Sequence, residues 1–236
     1  ITSKTKAIVP VHLYGQSSDM EEVMKIAKEY DLFVIEDTAQ AIGASYTFAN
    51  GNKKKVGTIG DFGTTSFFPS KNLGCYGDGG AIFTNDAKLA EAAFMIANHG
   101  QSKRYYHDKV GVNSRLDSIQ AAILRNKLPH LDSYIEERNK AASFYDKAFE
   151  KVDWLEIPYR DTKSTHVFHQ YTMKIKGVSR DKLRTYLADK DVPAMIYYPV
   201  PLHHQKAYMD SSLYKDEDFK ITIDLCNSVL SLPMHT

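Results

Sequence analysis

Cysteine and net charge are both scarce in this chain. Cys75 and Cys226 are the two cysteines among 236 residues. Two thiols build no disulfide framework, and no zinc-type ligand spacing is present, so no metal site is read from the sequence. A reduced, cytoplasmic setting is the resulting expectation. Thirty lysines and arginines face 29 aspartates and glutamates, for a formal charge of +1. That balance leaves no electrostatic footprint for nucleic acid or an acidic membrane. No apolar run approaches the length of a membrane span, and no signal-peptide pattern occurs. What is present is ordinary for a globular chain: 43% hydrophobic and 25% charged residues. The length suits one large domain, or a medium domain with a small one.

Polar, loosely held ends are the norm. This chain instead begins at Ile1, enters AIVPVHLYG almost at once and closes on LSLPMHT. It reads as an internal piece of a longer protein, truncated at both ends.

The first half alternates strand and helix signals. Ala7 to Leu13 reads as a strand ending before Gly15. DMEEVMKIAKEY carries apolar residues at helical spacing behind a cap at Ser18 or Asp19. LFVIED is a near-continuous apolar run that turns acidic at its end, as a buried parallel strand does. Strand, helix and strand in this compass form a βαβ unit of an α/β sheet. Further strands are expected at Asp61 to Phe68 and Gly80 to Thr84, then a helix capped by Asn85 or Asp86 and stopped at Gly100. KKK at 53 to 55, beside the turn dipeptide Asn50-Gly51, reads as a solvated loop. Leu116 to about Glu150 is strongly helical, with Pro129 kinking or splitting it. Beyond it VDWLEIP, the alternating HVFHQYTMKIKG, the helix SRDKLRTYLADKD and the strand VPAMIYYPVPL suggest a small α+β domain. The predicted organisation is a large domain over 1–132 and a smaller one over 133–236.

The stretch GTTSFFPSKNLGCYGDGG holds a lysine, Lys71, between a serine-proline turn and a glycine-rich run. Ligands of parallel α/β sheets bind outside the carboxyl ends of the strands. Asp37, in VIEDTAQ, lies at one such end, and Ser66 near another. Each has an ordinary reading: a helix cap, a turn former, a loop lysine. Together they offer more. Lysine forms Schiff bases with carbonyls, and burial makes it nucleophilic. An aspartate opposite a pyridine nitrogen keeps it protonated. A serine hydroxyl and backbone N–H groups suit a phosphate. These are the needs of pyridoxal phosphate.

IEDTAQAIGA, TSFFPSKNLGCYGDGGAIFTND and GVNSRLDSIQAAIL, in this order, resemble the DegT/DnrJ/EryC1/StrS family of sugar-nucleotide aminotransferases. The likeness runs over nearly the whole chain and ends in YYPVPLHHQ and SLPMH. It implies fold type I of the pyridoxal phosphate-dependent transferases: an α/β architecture with a mostly parallel sheet flanked by helices, plus a small C-terminal α+β domain. It implies pyridoxal 5'-phosphate as cofactor, a homodimer with shared active sites, glutamate as amino donor and a nucleotide-linked keto-sugar as acceptor. A UDP-linked sugar aminated at carbon 3, for bacterial surface polysaccharide, is the expected substrate.

By the same resemblance Lys71 is the Schiff-base lysine and proton carrier. Asp37 partners the ring nitrogen, Gln40 lies beside the ring and its 3-hydroxyl, and Ser66 binds the phosphate. Asn113 reaches the phosphate of the other subunit's site. Arg115 is expected to meet substrate at a carboxylate, which a guanidinium grips with two parallel hydrogen bonds. Tyr197 stands at a substrate-binding position where a near relative within that family has histidine, a departure that bears on which sugar is taken. Ordinary readings exist for these too: Gln40 as a loop cap, Asn113 as a loop amide, Arg115 as a surface cation. His12, His99, His203 and His204 receive no catalytic role. The aromatic ring that stacks on the cofactor in the family has no counterpart in this chain. Competing readings are a sugar dehydratase, in which histidine replaces the lysine, an amino-acid lyase or desulfurase, and an inactive dimer scaffold.

Overall fold

The structure is a computed structural model that describes residues 1–210 and 213–235. The chain divides into two compact units: Ile1–Glu137 with Arg160–His169, and Arg138–Tyr159 with Gln170–Thr236.

In chain order the first unit opens with β1 (Ala7–Ile8), α1 (Met20–Glu29) and β2 (Phe33–Asp37). Next come β3 (Ser45–Thr47), β4 (Lys53–Lys55), β5 (Phe62–Ser66), β6 (Gly80–Phe83) and α2 (Ala87–Ala97). A small hairpin of β7 (Gln101–Lys103) and β8 (Tyr106–His107) leads to α3 (Ser118–Lys127) and α4 (Leu131–Phe149), which carries the chain into the second unit. There follow β9 (Leu155–Glu156), β10 (Tyr171–Ile175), α5 (Arg180–Ala188), α6 (Lys220–Ser228) and β11 (Val229–Leu232).

The main sheet has the order β1-β2-β5-β6. β1 pairs β2 and β2 pairs β5 in parallel, while β6 returns antiparallel to β5. The architecture is α/β, as expected. Met20, Ala27, Val34, Tyr46, Ile59 and Val167 pack the core beside β2. Asp19 caps α1: its carboxylate accepts the Glu22 N–H and, at 2.5 Å, the Tyr46 hydroxyl. Those bonds hold the Asp19 carboxyl below its usual range. Asp86 caps α2, with Oδ1 accepting from the N–H groups of Lys88 at 2.7 Å and Leu89 at 3.1 Å. Asp86→Ala should therefore cost about 1 kcal/mol in chemical denaturation.

Three local expectations are corrected. The strand expected from Ala7 to Leu13 stops at Ile8, because Pro10 has no N–H to offer and Tyr14 turns to φ +59°. KKK is a strand, not a loop. It pairs antiparallel with β3 around a turn in which Gly51 has φ +82°. Its three lysines all face solvent, so it carries no apolar signal. VPAMIYYPVPL forms no regular strand. It touches β11 through a single bridge, Met195 to Ser231, since prolines 193, 199 and 201 interrupt a ladder.

Pro129 splits the helical passage: a short 3-10 turn, Leu128–His130, separates α3 from α4. The second unit centres on an antiparallel sheet of order β11-β10-β9. β10 alternates buried Tyr171, Met173 and Ile175 with half-buried neighbours, and all of β11 is buried. No helix among the described residues is long and apolar enough to cross a membrane.

The position 132/133 lies in the first turn of α4, five residues before the chain changes unit. Residues 160–169 then rejoin the first unit. Backbone bonds from Thr47 N–H to Lys163 C=O, Thr165 N–H to Ser45 C=O and Val167 N–H to Gly15 C=O tie them there.

Candidate active site

β2 and β5 run in parallel and in register, with Asp37 opposite Thr64. Their carboxyl ends therefore lie side by side. Asp37 is the last residue of β2 and Ser66 the last of β5. The Asp37 backbone is clamped on its other edge. Its N–H donates to Pro10 C=O at 2.9 Å, and its C=O accepts from His12 N–H at 3.0 Å. The half-buried carboxylate accepts the Ala39 N–H at 2.9 Å.

Five residues past β5 stands Lys71. Its loop is closed by Phe67 N–H to Gly79 C=O, Cys75 N–H to Phe67 C=O and Lys71 N–H to Phe68 C=O, each 2.8 Å. Gly74 permits this fold-back, because a Cβ there would lie 2.4 Å from the Pro69 carbonyl oxygen. Asn72, Leu73, Gly74 and Cys75 are all buried. The Asn72 amide donates to Val167 C=O at 2.9 Å, and its oxygen lies 3.2 Å from His169 Nδ1. The segment 160–169 thus anchors the residue next to the lysine.

Lys71 itself is half-buried. Burial pushes its ammonium pKa down, and the Asp37 carboxylate partly opposes that shift. An amine so placed is easier to deprotonate than a surface lysine. Removing the carboxylate removes the opposition. Asp37→Asn should lower the Lys71 pKa further, measured as a shift to lower pH in the rate of amine-selective labelling at Lys71.

Sequence reasoning missed the residue beside Asp37. Alternation along β2 points Glu36 to the opposite face. There it is fully buried and accepts four hydrogen bonds: from His12 Nε2 at 3.0 Å, Gly57 N–H at 2.7 Å, Ile59 N–H at 2.7 Å and Gly60 N–H at 2.8 Å. His12 Nδ1 accepts the Ser18 N–H, which places the ring proton on Nε2, toward Glu36. Burial raises the Glu36 pKa, but the four donors outweigh it and the carboxyl lies below its usual range. Glu36 so fastens the 12–18 segment and the loop before β5 to the strand that ends in Asp37. The adjacent acids in VIED were the available signal.

The other expected site residues lie as follows. Ser66 Oγ accepts the Phe68 N–H at 3.2 Å, and Gln40 Oε1 accepts the Tyr14 N–H at 2.7 Å. Asn113 and Arg115 are exposed and joined to each other, Arg115 Nε donating to Asn113 Oδ1 at 3.0 Å. Both line an open cleft of about 1050 Å³ formed with β6 and α2, and neither Lys71 nor Asp37 lines that cleft. Tyr197 belongs to the second unit, where its ring meets Tyr198 edge-on at 5.7 Å.

The whole chain, residues 1–236, matches the DegT/DnrJ/EryC1/StrS aminotransferase family. It is 48% identical over 236 residues, 99% of this chain and 61% of the other, to a protein of Geobacillus stearothermophilus named pleiotropic regulatory protein. It is 44% identical over 237 residues to UDP-2-acetamido-2-deoxy-3-oxo-D-glucuronate aminotransferase of Pseudomonas aeruginosa, covering all of this chain and 62% of that one. The chain thus spans about three fifths of the length of these relatives. Among solved structures, S. venezuelae DesV in complex with a ketimine intermediate superposes with a TM-score of 0.92 at 37% identity, over all of this chain and 61% of that one. The family match runs over every residue from 1 to 236, and the chain belongs to the DegT/DnrJ/EryC1/StrS aminotransferase family.

Proposed function

We propose that this chain is the catalytic portion of a pyridoxal phosphate-dependent aminotransferase that moves an amino group from glutamate to a nucleotide-linked keto-sugar. The observation that carries the proposal is the half-buried Lys71, its pKa lowered by burial, within the field of Asp37 at the ends of two adjacent parallel strands.

The donor set fits the cofactor. Lys71 offers an amine to its aldehyde, Asp37 a carboxylate to its ring nitrogen and Ser66 a hydroxyl to its phosphate. Ser66 Oγ already accepts from Phe68, which leaves the hydroxyl proton to donate. Gln40, three residues past Asp37, would lie beside the ring in this reading. When bound, the cofactor supplies an electron sink for the carbon that exchanges the amino group. Lys71 Nζ would hold the aldehyde end of the cofactor and serve as the proton carrier, for which a lowered pKa suits it. Asp37 holds the ring nitrogen protonated.

In this reading two copies of the chain share their sites. Asn113 reaches toward the partner's phosphate, Arg115 grips a substrate carboxylate, and Tyr197 contacts the sugar. A UDP-linked sugar acid with a 3-keto group is the proposed acceptor. The likeness to the Pseudomonas aeruginosa enzyme supports it, and so does the bidentate chemistry of arginine. The test is to give the full-length protein pyridoxal phosphate, glutamate and a UDP-linked 3-keto sugar acid, and to follow 2-oxoglutarate and the amino-sugar by mass spectrometry. Stoichiometric formation of both is expected. Loss of water from the sugar without 2-oxoglutarate would replace transamination with dehydration.

A further inference from the structure

A cluster in the second unit lies outside everything above. His203 and His204 end a short 3-10 turn, Leu202–His204, and Asp216 begins another, Asp216–Phe219. Both imidazoles aim Nε2 at one carboxylate oxygen. His204 Nε2 is 2.7 Å from Asp216 Oδ1 and His203 Nε2 is 3.3 Å from the same atom. All three ligand atoms lie within 4.8 Å of one another.

A hydrogen bond accounts for His204 and Asp216. It does not account for His203. That side chain is 7% exposed, and its Nε2 is buried without a hydrogen-bond partner, although it faces the carboxylate. Phe219 stacks on the ring at 4.4 Å and fixes its direction. A buried ring nitrogen held 3.3 Å from an anionic oxygen, outside hydrogen-bond geometry, is an arrangement that a shared cation would satisfy.

We propose that His203, His204 and Asp216 bind a divalent transition metal of the zinc class. Bonds of about 2.0–2.1 Å at tetrahedral angles set neighbouring ligand atoms about 3.3–3.4 Å apart. The His203–Asp216 separation of 3.3 Å already meets this, and the His204 pair, at 2.7 Å, needs to open by about 0.6 Å. Two imidazoles and one carboxylate favour zinc, cobalt or nickel over calcium or magnesium, which take oxygen ligands. Three protein ligands leave room for water. The metal would staple the 202–204 turn, which follows the loop of Tyr197, to the 216–219 turn. Cysteine-led spacing rules do not register this set, because adjacent histidines and an aspartate twelve residues on match none of them.

The test uses tag-free full chain stripped with chelator. Cobalt(II) is titrated while its visible d–d absorption is recorded, and zinc(II) is titrated by calorimetry. One equivalent is expected, with a d–d spectrum of low-coordinate cobalt. His204→Ala and Asp216→Asn, both at exposed side chains and checked for fold by circular dichroism, should each weaken zinc at least about tenfold. Absence of binding by the native chain, or equal binding by native protein and both variants, would overturn the site.

Discussion

Lys71→Ala is expected to lower transamination by the full-length protein at least about 10³-fold, the scale of losing a positioned acid–base group. It should also abolish the visible band of lysine-bound pyridoxal phosphate. The loss should fall on turnover, because substrate contacts are assigned to other residues. Stability should move differently. Burial holds the folded pKa of Lys71 below its unfolded value. Between those two values the unfolded chain binds more protons, so this lysine's contribution improves as pH rises through that window and is unfavourable below it. Lys71→Met, which keeps the apolar stem, should therefore not lower the unfolding temperature of cofactor-free protein at pH 7. Turnover within tenfold of the native enzyme would remove Lys71 from the chemistry. A marked loss of stability would make it a structural lysine.

The second large effect is expected at Glu36→Gln. The carboxylate gathers four donors in a fully buried place. An amide nitrogen in place of one oxygen turns a donor toward donors and leaves at least two buried groups unpaired. The expected cost is about 3 kcal/mol in chemical denaturation at pH 7. The pH dependence follows from the direction of the shift. The folded pKa lies below the unfolded one. The stabilisation is therefore fully present above the unfolded pKa, about 4.3, and is lost as pH falls through the folded value. Native and Glu36→Gln proteins should converge in stability in that acidic range. A constant difference at all pH values would mean that shape, not charge, is what Glu36 provides. His12→Phe should weaken the same network, with a smaller effect, since three backbone donors remain.

Much of this fold is legible in the sequence because its signals are local. LFVIED and DFGTTSFF read as strands with Asp37 and Ser66 near their carboxyl ends, and they lie side by side in the sheet. The lysine announces itself through a loop that glycine must close. Of the cap candidates, Asp19 and Asp86 hold the helix N-termini, as suits side chains that compete well for free backbone N–H groups. What is not legible depends on distant partners. The role of Glu36 needs the loop at 57–60, which no periodicity links to β2. The hairpin of β3 and β4 hides because its lysines face water. The segment 160–169 rejoins the first unit through backbone bonds and an asparagine, none of which leaves a pattern. The cluster at His203 needs the 202–204 turn and the 216–219 turn to meet, which no local pattern foretells.

In the proposed reaction Lys71 is the amine that holds the cofactor. The most direct test is to incubate full-length protein with pyridoxal phosphate, reduce with borohydride, digest, and locate the pyridoxyl group by mass spectrometry. The expected result is one equivalent on the peptide containing SFFPSKNLG, displaced by prior addition of glutamate. Label scattered over exposed lysines such as Lys53 and Lys54, with none on Lys71, would contradict the claim.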